Sequence, residues 1–324
     1  MRVAPFWFLG AALQRIGDVF SPHDFVHHFF MESRTYRKRN QRQKTTGYLR
    51  INESRRDRVI EPLTRYARLP TNYLEALYGS SHIKEILKRL YHETAGLPAA
   101  MHILERADEI NRNVGTYLFH ELGAGAYAHT GYTEDFIRRT KIGKNRRSAH
   151  DTHICMIVAQ FEATLGERFV SHLDILDYAK CPPSTRDAEC PVSFPLATGF
   201  MEPDALFGDA KEPSVGPHGY KFYAVELDRM TESLSIIDRK LENYAYVLER
   251  KTHEVFLGIP NFRIMWLTHS AQREAHIRAR INKHHDAHLF NVVPKYNLFD
   301  NAPAPDFSLF KGDWRTARDT TQLY

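Results

Sequence analysis

The alternation of apolar and polar positions predicts a compact set of strands and helices in the second half of the chain. A short apolar strand around Phe200 is followed by a loop opened by Pro203-Asp204, and Tyr220–Glu226 forms a second strand. An amphipathic helix is predicted from about Thr231, because apolar residues recur at spacings of three and four. These residues are Leu234, Ile237, Leu241, Tyr244, Ala245 and Leu248.

Further elements follow this helix. Asn261–His269 has the composition of a buried strand and is predicted to run parallel to the Glu226 strand, with the intervening helix as the crossover. Ser270–His285 predicts a helix with one basic face, and Leu289–Pro294 an edge strand. The tail from Tyr296 contains prolines and aspartates, and we expect it to wrap the surface or to be loose.

The first half predicts three helices and a pair of strands. Apolar residues at Val59, Ile60, Leu63, Tyr66 and Ala67 indicate one face of a first helix, and Thr71-Asn72 opens a second that Gly79 ends. Ser80 or Ser81 then caps a third helix, HIKEILKRLYHE, with Ile83, Ile86, Leu87 and Leu90 inside. Two helices joined by a glycine turn are typical of a helix-turn-helix. Residues 102–129 predict two short strands about a polar turn, and a three-helix bundle without DNA contact is the alternative.

The centre of the chain is predicted to contain a basic linker, a helix, a strand and a loop. Residues 136–151, FIRRTKIGKNRRSAHD, are basic with few apolar positions, which favours an interdomain linker. A helix is predicted from about Ser148, with a broad apolar face. Phe169–Tyr178 is interpreted as the first strand of the sheet and its exit, and the proline-rich segment 180–195 as a loop.

Carboxylates collect at the predicted strand ends. Asp204 and Glu226 lie on neighbouring segments if the strands pair as a hairpin, and Glu226 and Asp228 share a face because they are two residues apart. Clustered carboxylates raise one another's pKa, so a fold normally keeps them together only where a cation offsets the repulsion. The alternative is that Glu226 and Asp228 are polar residues that cap and solubilise the following helix.

Pro-Asp, a spacer and then Glu-x-Lys on the next strand is the pattern of the PD-(D/E)xK nuclease-like fold, which PDALFG and YAVELD resemble. The longer pattern PDALFG…YAVELDRMTESLSIIDRKLENYAYVL resembles the replication-relaxation family of plasmids and mobile elements. The resemblance implies an α+β protein, in which an N-terminal winged helix-turn-helix precedes an α/β restriction-endonuclease-like domain with a mixed central sheet. The predicted divisions are an extension and basic arm at 1–49, the winged helix at 50–135, a basic linker at 136–147, the nuclease-like domain at 148–295 and a tail at 296–324.

The same resemblance implies a function and a site. It implies a DNA-binding protein for replication initiation or DNA relaxation, with Mg2+ as the possible cofactor and Asp204, Glu226 and Asp228 as its ligands. Asp228 stands where the family has lysine, and this departure favours a catalytically silent domain. The alternative is a Mg2+-dependent endonuclease or nickase in which Lys240 projects back from the helix to orient water. Glu162 is either an added acid at the metal or a surface residue.

Basic residues mark the predicted DNA contacts. On the third helix and along the linker they are His82, Lys84, Lys88, Arg89, Arg138, Arg139, Lys141, Lys144, Arg146 and Arg147. Their side chains neutralise phosphates, which makes double-stranded DNA the expected partner. A palindromic site would favour a homodimer.

Composition narrows the class of protein. The 324 residues are 43% hydrophobic and 12% aromatic, which is enough for a sizeable core and argues against disorder. The net charge of +5 and pI near 9.0 fit a polyanionic partner. The three cysteines, Cys155, Cys181 and Cys190, form no CxxC pair and fit no standard zinc template, which favours a reducing cytoplasm. The N-terminal apolar run is too short for a membrane span and lacks a cleavage site.

Overall fold

The computed structural model describes residues 53–79, 82–93, 102–107, 118–144, 149–211, 219–229, 232–268, 270–293, 313–316 and 320–322. Within these ranges the fold is α+β, as the sequence predicts, and its main sheet is mixed. None of the helices described combines the length and the hydropathy that crossing a lipid bilayer requires. The predicted extension and basic arm at 1–49 lie outside the described residues.

The first part of the chain combines three helices with a small sheet. Helix α1 is Glu53–Arg65, strand β1 is Leu69–Pro70, helix α2 is Thr71–Tyr78 and helix α3 is Ile83–Glu93. Strands β2, Leu104–Ala107, and β3, Phe119–Leu122, pair antiparallel, and β3 also pairs with β1. Gly79 adopts φ 68° and ends α2 in the left-handed region, which glycine reaches at no steric cost.

Helix α4, Glu134–Thr140, and helix α5, Ala149–Leu165, connect the two parts of the chain. Residues 152–161 of α5 are buried on every side, because α2 covers one flank of this helix and the main sheet another. The described part of the predicted linker, residues 136–144, begins in α4 and continues through Ile142, which bonds to the backbone of Arg65 and Ala67. Lys141, predicted to contact DNA, is only 4% exposed.

The main sheet is built from seven of the described strands. They are β4 Phe169–Val170, β7 Ala205–Ala210, β8 Tyr220–Asp228, β9 Arg263–Thr268, β10 Phe290–Val293, β11 Asp313–Thr316 and β12 Thr320–Gln322. Their order across the sheet is β12-β11-β10-β9-β8-β7-β4. The β7–β8 pair is antiparallel, as a hairpin requires, and β8, β9 and β10 are parallel to one another. A separate pair joins β5, Phe194–Pro195, to β6, Phe200–Met201.

Two apolar cores lie on opposite faces of this sheet. Tyr223, Val225 and Leu227 of β8 face α5 and share one core with α1, α2 and α3, whereas Phe222 and Ala224 face the other way. Helix α8, Leu234–Arg250, covers that second face together with α10, Ala271–Ile281. The period-2 alternation of β8 thus places Glu226 and Asp228 on the α8 side of the sheet.

Some predicted elements differ from the structure. The strand predicted at 169–178 is only β4 before the chain turns into helix α6, His172–Asp177, which Ser171 and Asp174 begin as a capping box. The predicted loop at 180–195 contains helix α7, Pro183–Asp187, because proline is tolerated in a first helical turn. Helix α9, Thr252–Leu257, follows α8. Strand β10 is not an edge, because β11 and β12 of the predicted loose tail extend the sheet beyond it.

Candidate functional site

The candidate site lies where β7 begins and β8 ends. Asp204 directly precedes β7, and the antiparallel register pairs Ala205 with Val225, so Asp204 lies beside Glu226. By the alternation of β8, the carboxylates of Glu226 and Asp228 are on the face that α8 and α10 cover, and Asp204 contacts the backbone N–H of Leu227 at the end of β8. The hairpin predicted from the sequence therefore brings these acids to one end of the sheet.

Glu226 is the most enclosed group of the site, with a side chain that is 1% exposed. The Lys240 ammonium of α8 donates to Oε2 at 2.8 Å, and the Tyr244 hydroxyl donates to Oε1 at 2.7 Å. Burial raises the pKa of Glu226 to about 7, the Asp204 carboxylate adds to this effect, and Lys240 and Tyr244 oppose it. Both carboxylate oxygens of Glu226 are thus engaged by donors from one helix.

Lys240 joins two acids. Its ammonium also donates to Glu232 Oε1 at 2.9 Å, so that it bridges the end of β8 and the start of α8. Burial lowers the pKa of Lys240, but the neighbouring Glu226 and Asp204 carboxylates outweigh burial and hold it above its ordinary value. Lys240 is therefore a cation at neutral pH. The Lys240 side chain projects back from α8 to the carboxylate of Glu226.

Asp228 has a different partner. Its side chain is fully buried, and Arg273 of α10 binds both oxygens, with Nε at 2.5 Å from Oδ2 and Nη2 at 3.2 Å from Oδ1. Arg273 Nη2 also donates to the backbone carbonyl of Glu232 at 2.6 Å. Such a bidentate contact fixes the orientation of a carboxylate. The Arg273 guanidinium therefore occupies both oxygens of Asp228.

Asp204 is held from two sides. Its Oδ2 accepts from the backbone N–H of Leu227 at 2.7 Å and lies 3.3 Å from His150 Nε2. Burial lowers the pKa of His150, but hydrogen bonds with Asp151 and Asp204 outweigh burial and raise it to about 10. His150 contacts Asp204 from the first turn of α5.

Of the predicted catalytic residues, Lys240 binds Glu226, and Asp204 is close enough to raise the pKa of both. Asp228 instead binds Arg273. A magnesium ion needs oxygen ligands that are free to coordinate it. In the described part of the chain no group of three or more His, Cys, Asp or Glu side chains is close enough to hold a metal ion. As arranged, the donor set does not fit a metal held by Asp204, Glu226 and Asp228 together.

Glu162 does not reach the carboxylates. Arg65 and the Tyr66 hydroxyl of the first part of the chain bind its carboxylate, and Tyr66 donates at 2.6 Å. The alternatives of a metal-facing acid and a surface residue are therefore both wrong: Glu162 links α5 to α1. The three cysteines are free thiols, and Cys155 and Cys181 are buried.

The predicted DNA-contacting residues divide into three groups. His82, Lys84, Lys88, Arg138 and Lys144 are exposed, and Arg89 and Arg139 are partly exposed. Several have acidic neighbours: Lys84 lies 3.6 Å from Glu75, Arg89 lies 2.9 Å from Glu85, and Asp135 binds both Arg138 and Arg139. Lys141 is buried, and Arg146 and Arg147 lie outside the described residues.

Comparison of the chain with known protein families, with curated proteins and with solved structures finds no significant match. The resemblance to the replication-relaxation family therefore stays a prediction.

Proposed function

We propose that this is a DNA-binding protein of a plasmid or mobile element, acting in replication initiation or DNA relaxation, whose nuclease-like domain is catalytically silent. The observation that carries the proposal is helix α3, which follows the glycine turn at Gly79 and exposes His82, Lys84 and Lys88 on the side away from its buried residues. The order of elements supports this proposal. A winged helix-turn-helix has a helix, a strand, two helices and then an antiparallel pair of strands, and the first part of the chain has the same order.

The carboxylate site supports the silent state. A metal-dependent nuclease needs acids that can coordinate the ion and a cation for the charge that develops on the phosphate. Here Lys240 and Tyr244 engage both oxygens of Glu226, and Arg273 engages both oxygens of Asp228. These contacts neutralise the cluster from within the protein, so it keeps its geometry without a bound ion.

Replacing Lys84, Lys88 and Arg89 together by glutamine tests the DNA contact. If α3 binds the duplex, affinity falls on the order of tenfold or more at low salt, because a protein that neutralises fewer phosphates releases fewer counterions from the DNA. The slope of log K against log salt becomes shallower by about one for each phosphate that the variant no longer neutralises. Fluorescence anisotropy with a labelled duplex from about 50 to 200 mM salt measures both quantities.

The matched control replaces Arg239, Arg250 and Lys251, three exposed cations on or beside α8, by glutamine. The formal charge of both variants falls by the same amount. An equal decrease of affinity in the two proteins would mean that net charge alone attracts DNA and that α3 has no special part in binding.

The second candidate function is a metal-dependent DNA endonuclease or nickase, and the contact between Lys240 and Glu226 favours it. In that case Asp204 and Glu226 would hold Mg2+, and Lys240 would orient the attacking water or balance charge on the phosphate. This candidate requires Lys240 and Tyr244 to release the Glu226 oxygens that they bind in the structure.

Incubation with supercoiled plasmid separates the two functions. We expect slower migration of the plasmid with no nicked or linear product, whether Mg2+, Mn2+ or a chelator is present. Nicking that needs metal and disappears in Glu226→Ala would establish the endonuclease instead. In the same preparations, metal should leave the thermal stability unchanged, and metal stabilisation that disappears in Asp204→Ala with Glu226→Ala would identify a working metal site.

A further inference from the structure

A cavity of about 260 Å3 opens beside the carboxylate site. One wall is residues 140–144 and the first turns of α5, and the other is Val192 with residues 202–206. Its volume is slightly below the roughly 300–1,000 Å3 typical of small-molecule pockets. The cavity therefore has room for a phosphate with part of its sugar or base.

The first wall is built rigidly. Gly143 adopts φ 71°, and a Cβ at this position would lie 2.5 Å from both the Asp151 carbonyl oxygen and the Cys155 sulfur. This close approach fixes the wall against α5, and the Cys155 thiol donates to the Ile142 carbonyl at 3.2 Å. A binding site formed by such a wall is present before any ligand arrives.

The chemistry of the lining is mixed. Ile154, Val192 and Leu206 supply apolar surface, whereas Lys141 and Lys144 supply cations. Acidic side chains are also present, and they are Asp151, Glu202 and Asp204. A ligand that suits this lining carries an anion, an apolar ring or sugar face, and hydrogen-bond donors for the carboxylates.

Lys144 is the cation best placed to exchange partners. Its ammonium binds Glu202 at 2.9 Å, and both side chains are 40% exposed. Exposed ion pairs of this kind contribute little to stability, so an anionic ligand displaces Glu202 at small cost. Phosphate is the anion that the proposed function supplies, because every nucleotide carries one.

We propose that this cavity binds a nucleotide phosphate, with Lys144 contacting the phosphate and the surface of Ile154, Val192 and Leu206 packing against the sugar or base. The inference rests on the proposed DNA binding and deepens it, because it places one nucleotide of the bound strand next to the carboxylate site. The phosphate comes either from a strand end or from within a strand.

Two variants test the cavity. Lys144→Gln removes the cation, and Val192→Phe fills the space without changing charge. The matched controls are Lys251→Gln, whose ammonium faces Glu254 at 3.7 Å, and Val255→Phe, at a valine that is 75% exposed and outside the cavity. Each protein is titrated with 5′-phosphorylated and 5′-hydroxyl oligonucleotides of one sequence, and its melting temperature is measured with deoxyadenosine monophosphate and with inorganic phosphate.

If a strand end enters the cavity, wild type prefers the phosphorylated oligonucleotide, and in both cavity variants that preference falls about tenfold, the size of one charge-assisted hydrogen bond. If an internal phosphate enters, the variants weaken both oligonucleotides equally and more than their controls do. The inference is overturned if the cavity variants bind every probe as their controls do.

The same experiment gives a different result if the proposed DNA binding is wrong but the cavity binds a nucleotide. Wild type would then bind neither oligonucleotide, while deoxyadenosine monophosphate would still raise the melting temperature of wild type and of the controls but not of the cavity variants. That result would support nucleotide binding in the cavity and contradict the proposed DNA binding. Absence of any response to all four probes overturns both proposals.

Discussion

Replacing Arg273 by methionine is expected to lower the free energy of unfolding by about 3–5 kcal/mol, the usual result of removing one partner from a buried ion pair. Asp228 is fully buried, and Arg273 contacts both of its oxygens. Methionine fills similar volume but leaves the Asp228 charge in apolar surroundings, where water cannot solvate it. Urea unfolding monitored by circular dichroism at pH 7 measures the decrease in stability.

The same helix provides the control. Arg280 of α10 pairs with Asp238, whose side chain is 43% exposed, so Arg280→Met should cost less than about 1 kcal/mol. Asp228→Leu combined with Arg273→Met removes both charges and should regain most of the stability, since a hydrophobic replacement of a buried pair is often neutral. A cost for Arg273→Met no larger than that for Arg280→Met would show that Asp228 does not depend on this guanidinium.

The Asp228–Arg273 ion pair also affects whether the carboxylates are free to bind a metal ion. Freed from Arg273, Asp228 becomes an acid that could join Asp204 as a metal ligand. If the silent state results from this ion pair, Mn2+ should raise the melting temperature of Arg273→Met but not that of wild type. Equal metal responses in the two proteins would assign the silent state to another cause.

The strands and helices around the site follow from local sequence. The alternation in β8 and the spacing of three and four in α8 are periodic signals, and the parallel β8–α8–β9 crossover obeys the chain connectivity that such elements favour. These signals act within a few residues of one another. They therefore predict which elements form and which faces they bury.

The partners of the carboxylates depend on tertiary packing. Arg273 is 45 residues from Asp228 and His150 is 54 residues from Asp204 along the chain. Nothing in the local pattern distinguishes Arg273 from the other arginines of α10, because all of them fit a basic helical face. Tyr244 fits the apolar repeat of α8, and only the closeness of Glu226 gives its hydroxyl a role.

The packing of residues 136–142 and of α5 was also beyond the sequence pattern. Residues 136–147 are basic, and a high density of charge usually indicates a solvated segment. Here Phe136 and Ile137 of α4 and the neighbouring Ile142 are buried, and α5 packs on α2 as well as on the sheet. These three apolar residues pack residues 136–142 against the rest of the protein, although the segment is basic. A count of charges does not reveal such packing.

The second large effect concerns Lys240 and depends on pH. A glutamate of ordinary pKa, 4.5, releases its proton below neutrality, whereas burial raises the pKa of Glu226 in the folded protein to about 7. Between these values the folded protein binds more protons than the unfolded chain, so this group makes the protein less stable as pH rises. Lys240 limits this destabilisation because its ammonium lowers the pKa of Glu226.

Lys240→Met should therefore destabilise the protein more at pH 8 than at pH 5.5. Without the ammonium, Glu226 keeps only the Tyr244 hydroxyl and has Asp204 nearby, so its pKa rises further. Above the wild-type pKa of about 7 the cost grows by at most about 1.4 kcal/mol for each pH unit, so the charge of Glu226 adds about 1.4 kcal/mol to the cost at pH 8. This part of the cost is lost on acidification below pH 7, because Glu226 then becomes neutral in both proteins. Urea unfolding at several pH values measures this dependence.

Two controls separate this explanation from a general packing defect. Lys240→Met combined with Glu226→Gln has no carboxyl at position 226 to titrate, so its difference from Glu226→Gln alone should be nearly constant from pH 5.5 to 8. Lys251→Met removes an exposed lysine and should change little at any pH. A cost for Lys240→Met that is the same at both pH values would mean that Lys240 stabilises the fold through its packing. Its charge would then have no measurable part in holding Glu226 ionised, and Glu226 would owe its state to the Tyr244 hydroxyl and to the buried position alone.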